Sequence, residues 1–202
     1  RRSFAEQLGK IGNAALPELI NALLKSNNVI QRRAAAKTLK LVGDPKAIPS
    51  LIKALINDED QVVQCSAAGA IAIFGATAVN HLIIILENPL CSEMQYGLAS
   101  WCLAFIGAEA PNALKKAATS KNTNVRSAAI SALEEQIRTS QDLEALDLLK
   151  KALHDTSENV QIEAIKLVGK LNKIESLIPI LIYKLKSLSP EIRKNSVISL
   201  ML

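Results

Sequence analysis

Apolar residues recur along this chain at helical spacing, and the pattern restarts. In QRRAAAKTLKLVG (31–43), Ala35, Leu39 and Val42 share one helical face; in VQCSAAGAIAIFG (63–75), Ala67, Ile71 and Phe74 do the same. QYGLASWCLAFIG (95–107) repeats the arrangement, and VRSAAISALEEQI (125–137) and VQIEAIKLVGKLN (160–172) are looser copies. Gly12, Gly43, Gly75 and Gly107 fall 31, 32 and 32 residues apart. A second amphipathic segment follows each glycine, as in NAALPELINALL (13–24) and DPKAIPSLIKALI (44–56). RSFAEQLGKIG at the start is the tail of one more copy, and IRKNSVISL, from Ile192, is a truncated one.

Boundary signals agree with this reading. Gly43 before Asp44-Pro45 ends one helix and opens the next, since glycine tolerates the left-handed position and proline suits a first turn. Ser189-Pro190-Glu191 reads as a cap, a proline at the first helical position and an acid at the positive helix end. Ser92 and Gln95 fit a capping box. Two such short helices cannot bury their apolar faces alone, whereas stacked copies can. The sequence therefore predicts an all-α protein, a right-handed α-solenoid of ~32-residue helix pairs. Residues 1–202 read as a single domain of five full repeats with partial repeats at both ends.

Composition narrows the function classes. Apolar types make up 49% and aromatics 3%, an aliphatic core suited to close-packed helices rather than to a β-sandwich. No apolar run approaches the ~18 residues of a membrane span, and the N-terminus lacks the apolar core of a signal peptide. Cys65, Cys91 and Cys102 have no metal-like spacing; they read as small core residues in a reducing, cytoplasmic protein. The net charge is +5, with ten Lys and Arg in 1–53, fourteen in 115–202 and none from Ala54 to Leu114. That gap disfavours nucleic acid, whose backbone wants a continuous cationic track. No phosphate-binding loop, zinc signature or Ser-His-Asp spacing is present, and His81 and His154 stand alone. No catalytic residue and no metal ligand is expected.

Binding candidates come from comparing registers. Leu39, Ile71, Leu103, Leu133, Leu167 and Leu200 occupy the core register of the alanine-rich helices. Two residues earlier stand Glu6, Lys37, Gly69, Trp101, Ser131, Lys166 and Ile198, a mostly polar series that contains the single tryptophan. One turn further N-terminal, on the same face, lie Arg2, Arg33, Cys65, Gly97, Ser127, Ile162 and Lys194. If these second helices line a concave groove, it reads basic at Arg33, Lys37 and Lys40, then nearly bare at Cys65, Gly69, Ala72 and Gly97. Trp101 stands beside the bare patch and Tyr96 precedes it. Small residues next to a flat indole suit a planar apolar ligand, and the cations suit its carboxylates. The ligand-binding candidates are Arg33, Lys37, Cys65, Gly69, Tyr96, Gly97 and Trp101.

GDPKAIPSLIKAL (43–55) followed by VQCSAAGAIAIFG resembles the HEAT-like repeat of the phycobilisome lyase family, G-D-x-x-A-(I/V)-x-x-L-(I/L)-x-A-L then V-R-x-x-A-A-x-A-L-G-x-(I/L)-G. The resemblance covers nearly the whole chain. The chain departs from it where Gln64, Tyr96 and Gln161 replace the arginine, and where the second glycine survives only as Gly9 and Gly169. The resemblance implies a protein of the E/F-type bilin lyases, or a relative acting in phycobilisome breakdown or chaperoning. The implied partners are a linear tetrapyrrole (bilin) as ligand or substrate, a phycobiliprotein subunit and a second HEAT-repeat lyase subunit. Lyase action would then be positioning, with the nucleophilic cysteine on the substrate protein. The alternative reading is a non-enzymatic protein–protein interaction scaffold without pigment.

Overall fold

The computed structural model describes residues 12–171 and 175–202; Arg2, Glu6 and Gly9 lie outside the described residues. These form thirteen α-helices, joined by turns and short 3-10 segments, with no strand among the described residues. In chain order they are α1 (Leu16–Lys25), α2 (Val29–Val42), α3 (Ile48–Asn57), α4 (Gln61–Ile71), α5 (Ala76–Glu87), α6 (Glu93–Ile106) and α7 (Pro111–Ala117). There follow α8 (Thr123–Ser131), α9 (Glu134–Arg138), α10 (Leu143–Ala152), α11 (Glu158–Lys170), α12 (Ile178–Lys184) and α13 (Pro190–Met201).

The local signals act as read. Gly12, Gly43, Gly75 and Gly107 all have positive φ, at 65°, 69°, 55° and 42°. Gly43 is a left-handed C-cap whose N–H donates to Leu39 O. Ser92 and Gln95 form the reciprocal capping box at 3.0 and 3.2 Å, and Ser189 caps Ile192 N ahead of Pro190. The same capping register recurs at Asn28, Asp60 and Asn122, whose side chains accept from the first turns of α2, α4 and α8.

The chain forms two compact units, one up to Cys102 and one from Leu103. In the first, α1 pairs with α2 and α3 with α4, while α1, α3 and α5 pack in series and α2 packs on α4. In the second, α7 pairs with α8, α10 with α11 and α12 with α13; α8, α11 and α13 pack in series. Each unit thus stacks helix pairs in the manner of an α-helical repeat protein. The buried layer is almost wholly Ala, Leu, Ile and Val, with Leu23, Leu39, Leu55, Ile71, Leu82, Leu103, Leu114 and Leu133 fully enclosed. Such small and aliphatic side chains let helix backbones approach closely. The Cys102 thiol reaches Ala68 O at 3.3 Å, and the Ser199 hydroxyl donates to Ile165 O at 2.8 Å, each across two successive repeats.

One polar device ties the repeats together, and it accounts for the two glutamines in the arginine register. Arg32 donates to Ser26 O, six residues back, and forks onto Asp58 at 2.9 and 3.1 Å. Asp58 opens the next repeat's turn, and its own carbonyl accepts from Gln64 at 2.8 Å. The second unit repeats the node. Arg126 holds Ser120 O and forks onto Asp155, whose carbonyl accepts from Gln161 at 2.7 Å. Arg32 and Arg126 meet a carboxylate in the following turn; the places Gln64 and Gln161 would reach in theirs hold Leu90 and Ser187. Arg32 and Arg126 thus pair a carboxylate as well as a carbonyl, while Gln64 and Gln161 keep the carbonyl hydrogen bond where no carboxylate follows, and Arg193 holds the carbonyls of Ser187 and Leu188.

The copy at 125–137, which its pattern reads as one helix, is broken in two. α8 stops at Ser131, Ala132 and Leu133 form a turn, and α9 resumes at Glu134. Val125 and Val160 lie 35 residues apart, and Ile137 stands where earlier copies carry the closing glycine. The chain reverses instead at Gln141, a non-glycine residue at φ 50°, with Asp142 N donating to Gln136 O. Ala132, Leu133, Gln136 and Ile137 stay buried through the break.

Hydrogen bonds from Arg126 hold the Asp155 carboxyl below its ordinary value of 3.8. A depressed folded-state value contributes stability above the ordinary value and loses it as pH falls through the folded one. Asp155→Asn should cost about 1–3 kcal/mol at pH 7, because Arg126 is left half-satisfied. The gap from the wild type should narrow below about pH 4, measured by urea unfolding across the pH range.

Candidate functional site

Three second helices carry one exposed stripe in a common register. On α2 it runs Ile30, Arg33, Lys37, Leu41; on α4 Val62, Cys65, Gly69, continued by Ile73 in the 3-10 turn that follows; on α6 Met94, Gly97, Trp101, Phe105. All are exposed or half-exposed, Trp101 at 49%. The matching residues of α8 and α9, Asn124, Ser127, Ser131 and Glu135, are all polar, and apolar residues return to this register only singly, at Ile162 on α11 and Ile198 on α13. The sequence reading identified the middle two positions of each stripe. It missed Val62, Ile73, Met94 and Phe105, the same stripe extended by one turn in each direction; continuing the helical spacing outward would have found them.

Packing brings the candidate residues of α4 and α6 side by side. Cys102, next to Trp101, contacts the carbonyl of Ala68, next to Gly69. Gln95 anchors the start of α6 by donating to Ile56 O at 3.0 Å. Neither Gly69 nor Gly97 has positive φ, and a Cβ built on either meets no atom within 4 Å. Backbone conformation and packing therefore explain neither glycine. Gly169 is the contrast. A Cβ there would lie 2.9 Å from the Ser199 hydroxyl oxygen and 3.0 Å from its Cα, so close approach of α11 and α13 demands it.

Two candidates stand differently from the sequence reading. Arg33 is no open cation: its guanidinium forks onto Asp60 at 2.9 and 3.1 Å, and this hydrogen bond holds the Asp60 carboxyl below its usual range. Lys37 and Lys40 are exposed and form no ion pair with another described residue, leaving them as the cations of this stripe. Tyr96 lies five positions from Trp101, about 140° round the helix. It is half-buried in the register of the carbonyl-holding Arg32 and Gln64, not on the exposed stripe.

The cysteines separate by burial. Cys102 is enclosed, and burial pushes its thiol up to about 12, an inert core group. Cys91 is half-buried and shifted in the same direction. Cys65 is exposed on the α4 stripe, contrary to a core role. Among the described residues no group of three or more His, Cys, Asp or Glu could hold a metal ion. No described helix is long and apolar enough to cross a membrane. The arrangement is an exposed, mostly apolar surface, an indole and aliphatic side chains around two bare helix segments, with lysines at one side.

The family of HEAT repeats matches residues 1–72 and 16–99. The bilin biosynthesis protein MpeU of Synechococcus sp. (strain WH8020) is 43% identical over 201 residues, covering 100% of this chain and 68% of MpeU. The uncharacterized phycocyanin operon protein Z of Pseudanabaena tenuis (strain PCC 7409) is 35% identical over 99 residues, 44% of this chain and 49% of that protein. Among solved structures, the complex of CpcE and CpcF of phycocyanin lyase from Nostoc sp. PCC7120 matches with TM-score 0.43 and 23% identity, covering 98% of this chain and 87% of that one.

Glycine inside a helix costs about 0.5–1 kcal/mol relative to alanine. Gly69→Ala and Gly97→Ala should each raise unfolding free energy by about that amount, and Gly169→Ala should lower it by about 1–3 kcal/mol through overpacking. Urea titrations of the three variants check this.

Proposed function

The chain belongs to the HEAT-repeat family of the bilin biosynthesis protein MpeU, and from that premise we propose that it acts in bilin attachment to a phycobiliprotein subunit. The observation that carries the reading is the 43% identity to MpeU across the whole chain. The exposed stripe of α4 and α6 supports it. A planar conjugated ligand lies over Gly69 and Gly97, where no side chain stands in the way, with the Trp101 indole against its face. Lys37 and Lys40 take its carboxylates as point charges, and Arg33, held by Asp60, shapes the edge of the site.

The protein's contribution is orientation. A thiol of the phycobiliprotein adds across a bilin double bond: sulfur bonds to one carbon and the thiol proton ends on its neighbour. The reaction balances without oxidant or reductant. Holding both reactants in register turns a bimolecular encounter into a near-unimolecular step. It requires no nucleophile on this chain. Chromophore removal and chaperoning use the same contacts. A second HEAT-repeat subunit and a cytoplasmic setting accompany this reading.

Trp101→Ala should weaken bilin binding by about tenfold or more, read by absorbance titration, with helical content unchanged by circular dichroism. Unchanged affinity would remove the stripe from the site. A wild-type protein that stays colourless when purified from cells making bilin, yet captures a phycobiliprotein subunit, would favour a pigment-free scaffold.

A further inference from the structure

The first helices of the repeats share a register of their own. Leu19, Leu51, Leu82, Leu114, Leu149 and Leu181 are their central buried leucines. Two residues beyond each come Asn21, Lys53, Ile84, Lys116, Lys151 and Tyr183, every one exposed. The register takes lysine three times, so it asks nothing apolar of its occupant. Ile84 is nevertheless an isoleucine, 65% exposed. It borders a cavity of about 430 Å³ between α3 and α5, whose walls include Ile52, Ile56 and Ile85. Gln95, at the start of α6, closes one side; the rest of the groove lies on the first helices, apart from the stripe of Trp101.

Two further features bear on what fills it. His81 lines the groove, and its Nδ1 is buried with no hydrogen-bond partner among the described residues. An orphaned polar atom is costly unless an occupant supplies the missing bond. Charge is the second feature. Residues 54–114 hold Asp58, Glu59, Asp60, Glu87, Glu93 and Glu109 and no Lys or Arg. Arg32 takes Asp58 and Glu59, and Arg33 takes Asp60. Glu87, on the groove rim, forms no ion pair with another described residue and is the only carboxylate among the described residues lining the groove.

We propose that the α3–α5 groove seats an amphipathic helix of a partner protein, its aliphatic ridge between Ile52, Ile56 and Ile84 and a flanking Lys or Arg against Glu87. A helix laid into an interhelical groove buries such a ridge along its length. The unpaired Glu87 carboxylate on the rim favours a basic flank over an acidic one.

The test uses the intact protein and two synthetic helical peptides of about 18 residues. Both carry Ile and Leu at helical ridge spacing; one is flanked by Lys, the other by Glu. Binding is read by fluorescence anisotropy and by NMR of the isoleucine methyl groups. The Lys-flanked peptide should shift Ile52, Ile56, Ile84 and Ile85 and bind at least about tenfold tighter than the Glu-flanked one. Ile84→Lys, conservative for a register that already carries lysine, should weaken it by about tenfold or more. Glu87→Gln should narrow the preference between the peptides. No binding, equal binding of both peptides, or shifts confined to other isoleucines would overturn the proposal. So would wild-type self-association that Ile84→Lys abolishes, which would give the groove to a second copy of this chain.

Discussion

The fold rests on a constraint that no single repeat satisfies: each helix pair has too little interior of its own, so every pair must be fixed to the next. Hydrophobic burial supplies most of the drive, but it is indifferent to register along the stack. The Asp58 node supplies direction. Its carboxylate takes Arg32 from the preceding repeat, its carbonyl takes Gln64 from its own, and Oδ1 also accepts from Asp60 N. Asp155 makes the same three connections with Arg126, Gln161 and Ser157 N. A buried ion pair is a weak source of net stability, but its geometry tolerates few alternatives, and removing either partner is costly.

This device frees the rest of the surface to vary. Because turns and second helices are fixed through a few residues, the outward stripe can change from Arg33 and Lys37 to Gly97 and Trp101 without disturbing the stack. The same freedom operates on the first helices, where Ile84 takes a place filled elsewhere by Lys53, Lys116 and Lys151. The charge distribution follows: the cation-free stretch coincides with the copies that expose Val62, Ile73, Ile84, Met94 and Trp101. Repeat proteins separate a constant stacking layer from a variable binding layer, and both layers are legible here residue by residue.

The glycines show why residue type alone misleads. The chain uses the same residue for three purposes. Gly43 and its periodic counterparts supply a backbone conformation other residues resist, and Gly169 supplies room for Ser199. Gly69 and Gly97 do neither, and helical stability would favour alanine at both. The two glycines leave a nearly bare strip of helix surface beside the half-exposed Trp101.

Helix pairs, their period and their caps could be read from the sequence, because each depends on residues within a turn or two: Gly43 on Asp44-Pro45, Ser92 on Gln95, Leu39 on Ala35. The register argument also placed Lys37, Gly69, Gly97 and Trp101 on an outward face. What it could not decide depended on partners 26 to 34 residues away. Arg33 reads as an open cation until Asp60 is brought beside it by α4 packing on α2. Tyr96 reads as a neighbour of Trp101 until the stack fixes which side of α6 faces outward. Local chemistry sets what each helix can present; only the stacking of successive pairs determines which groups are consumed in holding the repeats together and which remain for a ligand.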